Sequence, residues 1–140
     1  MILILGVGNE MRGDDAFGPL VVEKLREISN QNSITIWSGD TPENFIGKIK
    51  ERVEKLIIMD TAYLGKEPGT VELLEPERIT KQAVSTHKIP LSLIIDQLKP
   101  EKTYFIAAQP KAVEFGTEPS KEILKAVEKA IEMVKDMINQ

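Results

Sequence analysis

Four side chains at three places in the sequence could do chemistry together. Asp14 and Asp15 lie in the glycine-rich stretch 6–18 (GVGNEMRGDDAFG), Asp60 closes the apolar run 55–59, and His87 is the only histidine. Two carboxylates and one imidazole make an O,O,N donor set for a divalent transition metal that leaves coordination positions open. An imidazole near a helix N-terminus has its protonated form disfavoured by the helix dipole, which keeps a nitrogen lone pair available to a metal. Without a thiolate, such a set holds an ion weakly unless a partner supplies further ligands. The chain has no cysteine, so thiolate ligands, disulfides and a thiol nucleophile are excluded.

Taken singly, each residue has an ordinary explanation. An acid complements a helix start, an aspartate at a strand end caps a turn, and a lone histidine is most often a surface or satisfied core residue. Their joint placement is what favours a crevice. In an open α/β sheet the ligand site lies outside the carboxyl ends of the strands, at the switch in strand order. Asp15 follows the first strand, Asp60 ends the third, and in a 2-1-3 order those strands are neighbours. His87 begins the segment that feeds the next long helix.

The glycines first suggest a dinucleotide loop, but the residues argue against one. The G-x-G-x-x-G fingerprint requires glycine at position 11, where Met11 stands. Asp14 and Asp15 also place two negative charges where a phosphate needs positive potential. No nucleotide is expected.

The elements that must position these groups alternate along the chain. Residues 1–5 read as a buried strand, with Gly6-Val7-Gly8 turning the chain out of it. A helix follows whose inner face carries Phe17, Leu20, Val21, Leu25 and Ile28. Residues 33–37 (SITIW) are a second strand ending in the turn Ser38-Gly39-Asp40. Thr41 is placed to cap a helix with Pro42 at its first position, leading to Phe45, Ile46, Ile49 and Val53. Residues 55–59 (KLIIM) form a third strand stopped by Asp60, and 69–74 an antiparallel or edge strand. Ser85 or Thr86 can cap a helix through Leu91, Ile94, Ile95 and Leu98, and 103–108 (TYFIAA) is the last strand. Ser120 caps a long final helix with Ile123, Leu124, Val127, Ile131, Val134 and Ile138 at helical intervals. The pattern predicts one α/β domain over 1–140, a three-layer arrangement of a twisted, mostly parallel sheet with helices on both faces.

Composition narrows the function. Hydrophobic residues at 41%, charged residues at 29% and a net charge of −4 suit a globular protein without a basic footprint for nucleic acid. No apolar run is long enough to span a membrane, and the opening run is too short for a secretory signal. A cytoplasmic protein is expected. The irregular stretch 109–119, which carries Phe115, and the apolar segment 91–98 are candidate docking surfaces. Oligomeric state is left open by the sequence.

At these motifs the chain resembles the hydrogenase maturation endopeptidases, and the resemblance covers nearly its whole length. Gly6-Val7-Gly8-Asn9 through Gly13-Asp14-Asp15-Ala16-Phe17-Gly18 is similar to the family's opening signature. Leu56-Ile57-Ile58-Met59-Asp60 is similar to its strand ending in aspartate, and Ser85-Thr86-His87-Lys88-Ile89-Pro90-Leu91 to its histidine segment. Pro42-Glu43-Asn44, the run 93–98 (LIIDQL) and Gln109-Pro110 look most like the branch acting on the hydrogenase of the formate hydrogenlyase type.

The resemblance implies a peptidase that trims the C-terminal extension of a nickel–iron hydrogenase large-subunit precursor. It implies that Asp15, Asp60 and His87 form the catalytic and metal-recognition set, engaging nickel carried by the substrate. It also implies substrate contacts at Asn9, Gly39, Asp40 and Thr41. The family's Asp-Gly-Gly-Ser/Thr turn reads Ser38-Gly39-Asp40-Thr41 here, so the carboxylate has moved two positions and Asp40 is the candidate substitute.

The absence of both G-x-S-x-G and H-E-x-x-H leaves the peptide-bond chemistry to the metal, with Asp15 or Asp60 assisting as base. Two readings from other classes use the same residues. A receiver-like signalling domain would employ Asp14, Asp15 and Asp60 around a phosphoacceptor, but it leaves His87 without a task and puts Lys111 after Pro110 rather than before a proline. A maturation chaperone would read nickel without cutting.

Overall fold

The computed structural model describes residues 1–27, 33–75, 84–85 and 91–140. Five strands form the sheet in the order β2-β1-β3-β6-β4: β1 (Ile2–Val7), β2 (Ile34–Gly39), β3 (Lys55–Tyr63), β6 (Lys102–Ala108) and β4 (Val71–Leu74). The first four run parallel, and β4 closes one edge antiparallel to β6. The two-residue β5 (Val84–Ser85) pairs antiparallel with the far end of β3. Among the described residues the helices are α1 (Phe17–Leu25), α2 (Pro42–Ile46), α3 (Leu91–Leu98) and α4 (Lys121–Ile138), with a 3-10 turn over Gly13–Ala16.

Both faces of the central strands are covered, which is why they read as unbroken apolar runs. Ile4, Ile57, Met59 and Ile106 point to one side, against Phe17, Val21 and Leu25 of α1 and Ile123, Val127 and Val134 of α4. Leu3, Leu5, Leu56, Ile58 and Phe105 point to the other, against Ile46, Val53 and Ile94. The alternation along each strand thus feeds two helical layers, and the three-layer α/β architecture expected from the sequence is the one observed. Edge strand β2, half-buried throughout, is braced by Trp37 stacked on Phe45 at 5.6 Å.

Several boundaries differ from the sequence reading. Gly6 and Val7 continue β1 instead of turning out of it, because they pair with Ser38 and Gly39 of β2. The glycines serve packing: a Cβ on Gly6 would stand 2.4 Å from the Gly18 carbonyl oxygen, and one on Gly18 2.5 Å from that of Val7. Strand β1 and helix α1 therefore touch backbone to backbone. Ser38 and Gly39 belong to β2, not to a turn. Strand β3 runs through Asp60 to Tyr63, since β6 pairs with Asp60 and Thr61 and β5 with Ala62 and Tyr63.

Helix α2 ends at Ile46, so Ile49 and Val53 reach the core from the connection beyond it. Thr41 occupies the N-cap position without a side-chain cap bond. Ser85 lies in β5, while Leu124 points outward at 48% exposure. Ser120 caps α4 as expected, its hydroxyl accepting from the Ile123 N–H at 3.1 Å. Ile28, Thr86 and His87 fall outside the described residues.

Candidate active site

Among the described residues, the buried polar or charged side chains are Asp14, Asp15, Asp60 and Thr61, all at most 1% exposed. They lie along the carboxyl ends of β1 and β3. Burying a carboxylate costs free energy unless hydrogen bonds replace its water, so the partners of each acid define its task.

Asp14 is occupied in holding the fold. Its Oδ1 accepts from the Ser120 N–H at 2.6 Å, and its Oδ2 accepts from the Lys111 N–H at 2.7 Å and the Ser120 hydroxyl at 2.8 Å. One side chain in the 3-10 turn thus ties down the segment 111–120 and the N-terminus of α4. The backbone repeats the tie: Gly13 N–H donates to Thr117 O, Asp14 N–H to Ala112 O and Gly116 N–H to Met11 O. Gly13, at φ 54°, has no room for a side chain against Thr117 and Ala112.

Asp15, the next residue, faces the strand ends. Its Oδ2 accepts from the Asn9 N–H at 2.9 Å, and its Oδ1 from the Thr61 hydroxyl at 3.1 Å. Thr61 in turn donates its backbone N–H to Asp60 Oδ1 at 2.8 Å. Thr61 is therefore the bridge between the two candidate carboxylates, fixing Asp15 through its hydroxyl and Asp60 through its amide. The sequence reading did not single it out. The signal available was a hydroxyl residue directly after the strand's aspartate.

Beside these acids, at the carboxyl ends of β1 and β2, opens a cleft of about 320 Å³ lined by Gly8, Asn9, Glu10, Met11, Pro19, Ser38, Gly39 and Asp40. Asn9 belongs to both places, since it lines the cleft and its N–H holds Asp15. Three of the four expected substrate contacts, Asn9, Gly39 and Asp40, line the cleft; Thr41 does not. Asp15 and Asp60 are linked through Thr61, and His87 lies outside the described residues. Among the described residues, no three histidine, cysteine or acidic side chains gather into a metal-holding group, and no helix is long and apolar enough to cross a membrane.

Comparison with known proteins defines the class. A family model described as hydrogenase maturation protease matches residues 19–137. The hydrogenase 3 maturation protease of Escherichia coli K12 is 36% identical over 137 aligned positions, covering 93% of this chain and 88% of that protein. The solution structure of the endopeptidase HycI from E. coli superposes with a TM-score of 0.83 at 34% identity, covering 97% of this chain and 90% of that one. The crystal structure of the [NiFe] hydrogenase maturation protease HycI from Thermococcus kodakarensis gives 0.83 at 32%, covering 99% and 92%.

The chain belongs to the hydrogenase maturation protease family, and its activity is that of a peptidase. The branch indicated by its sequence, acting on the hydrogenase of the formate hydrogenlyase type, fits the hydrogenase 3 relatives. Membership sets aside the receiver reading, whose doubly wound sheet was the feature in common.

Proposed function

We propose that the chain removes the C-terminal extension of a nickel–iron hydrogenase large-subunit precursor, recognising nickel already inserted there through Asp15, Asp60 and His87. The observation that carries this reading is the burial of Asp15, Thr61 and Asp60 as one connected polar group at the carboxyl edge of the sheet. Similarity to a protein named for the maturation of hydrogenase 3 supports the substrate class. The nickel is substrate, not a resident cofactor, and the reaction is assigned to the cytoplasm, with neither nucleotide nor nucleic acid taking part.

Donors on both oxygens of Asp15 fix its orientation, which suits a ligand that must meet an incoming ion in one geometry. An O,O,N set incomplete by itself binds well only where the precursor supplies the remaining ligands, so cleavage waits for metal insertion. Nickel then polarises the scissile carbonyl or activates a water. Water oxygen bonds to the carbonyl carbon, the C–N bond breaks, and the proton reaches the leaving amine through Asp15 or Asp60.

Incubating the protein with nickel-loaded and nickel-free precursor, and weighing the products by mass spectrometry, tests this directly. Only the loaded precursor is expected to shorten. Equal cutting of both removes the nickel requirement, and cutting of neither removes the substrate assignment. In the same assay His87→Ala should abolish processing with the far-UV spectrum unchanged; full activity takes His87 out of the site.

A further inference from the structure

Two segments bonded to each other present large apolar side chains to solvent, Met11 at 59% exposure and Phe115 at 74%. Solitary exposed apolar residues are ordinary. These two are neither solitary nor loosely held. The Gly116 N–H donates to the Met11 carbonyl at 2.7 Å, which places Phe115 one residue along the chain from a direct backbone link to Met11. The bonds from Gly13 and Asp14 to Thr117 and Ala112, with the three donors on the Asp14 carboxylate, fix both segments to the body of the protein. Met11 also lines the cleft, whose other walls are glycine, proline and polar or acidic residues. Met11 therefore carries exposed apolar surface to the cleft, and Phe115 adjoins the residue whose amide meets the Met11 carbonyl.

We propose that Met11 and Phe115 form a preformed apolar ledge that grips the polypeptide substrate next to the scissile segment, and that they determine specificity. The inference rests on the proposed precursor as substrate. A protease that makes one cut in one folded partner must draw binding energy from contacts beyond the reacting bond. Such energy is largest where aromatic and thioether groups are already ordered before the partner arrives. Backbone bonds between the 3-10 turn and the segment 112–117 supply that order during folding. The occupant is an apolar side chain of the precursor leaving the cleft on the Met11 side.

The test measures binding and cleavage of nickel-loaded precursor by the wild-type protein and by Phe115→Ser, Met11→Ser and Phe115→Leu, with Leu73→Ser on edge strand β4 as an exposed apolar control (43% exposed). Phe115→Ser is expected to weaken Kd and raise KM about tenfold, with kcat within about twofold, and Met11→Ser to act in the same direction. Phe115→Leu should recover most of the loss, and Leu73→Ser should leave Kd unchanged. A Phe115→Ser protein that binds and cleaves as well as the wild type overturns the ledge, as does an equal loss with Leu73→Ser. Wild-type protein that binds precursor without shortening it overturns the proposed function alone, because the ledge is then judged on Kd. Absence of wild-type binding overturns both.

Discussion

Asp14 and Asp15 are neighbours of one residue type, equally buried in the same 3-10 turn, and they do opposite work. Asp14 turns toward the start of α4 and takes three donors from residues 97 and 106 positions away. Asp15 turns toward the carboxyl ends of β1 and β3, where its donors come from Asn9 in the cleft wall and from Thr61 beside Asp60. The first acid closes a tertiary junction with a charge fully used by the fold. The second is held in place by the fold while facing the candidate site. Burial alone does not separate a structural acid from a candidate chemical one; the direction of its donors is what tells the two apart here.

The sharpest way to break the comparison is to neutralise each acid and read stability and processing separately. Asp15→Asn keeps the volume and removes the charge. If nickel recognition at this position is worth several kcal/mol, cleavage of loaded precursor should fall on the order of 10³-fold with little change in melting temperature. Retained cleavage would move the chemistry elsewhere.

Asp14→Ala should show the reverse pattern. Leaving two backbone N–H groups and the Ser120 hydroxyl without their acceptor is expected to cost about 3 kcal/mol. That lowers Tm by about 10 °C, readable by calorimetry or urea titration. The kcat per folded molecule should survive, and a large loss of kcat at full stability would erase the division between the two acids.

Thr61→Val gives the smallest effect. It deletes one hydroxyl bond to Asp15 while the Thr61 amide still serves Asp60, so about 1 kcal/mol and a several-fold drop in cleavage rate are expected. An unchanged rate would show that Asp15 needs no bridge to hold its orientation.

Much of this division was legible before the fold was known. The alternation of apolar runs with helical spacings gave the doubly covered sheet, because strands buried on both faces must read Leu3-Ile4-Leu5 or Leu56-Ile57-Ile58 without polar interruption. The helix α4 and its cap were equally plain in Ser120 and the intervals from Ile123 to Val134. Strand ends were read less well. Asp60 looked like a stop because an acid after an apolar run usually is one, yet β3 continues to Tyr63 because pairing partners arrive from β6 and β5. Gly6 and Gly8 looked like a turn for a similar reason, and what Gly6 and Gly18 in fact allow is close approach between two segments distant enough in sequence that no local rule reports it.

By its own pattern the chain determined its layers and set Asp15 and Asp60 beyond or within its first and third strands, since periodicity and caps are local or nearly so. The tertiary structure alone decided that Thr61 joins Asp15 to Asp60, that Asp14 belongs to the α4 junction instead, and that the Met11 carbonyl meets the Gly116 amide next to Phe115. Each of those outcomes depends on hydrogen bonds spanning some 46 to 106 residues, and the direction of a bond across such a distance is fixed only when the packed layers bring its donor and acceptor face to face.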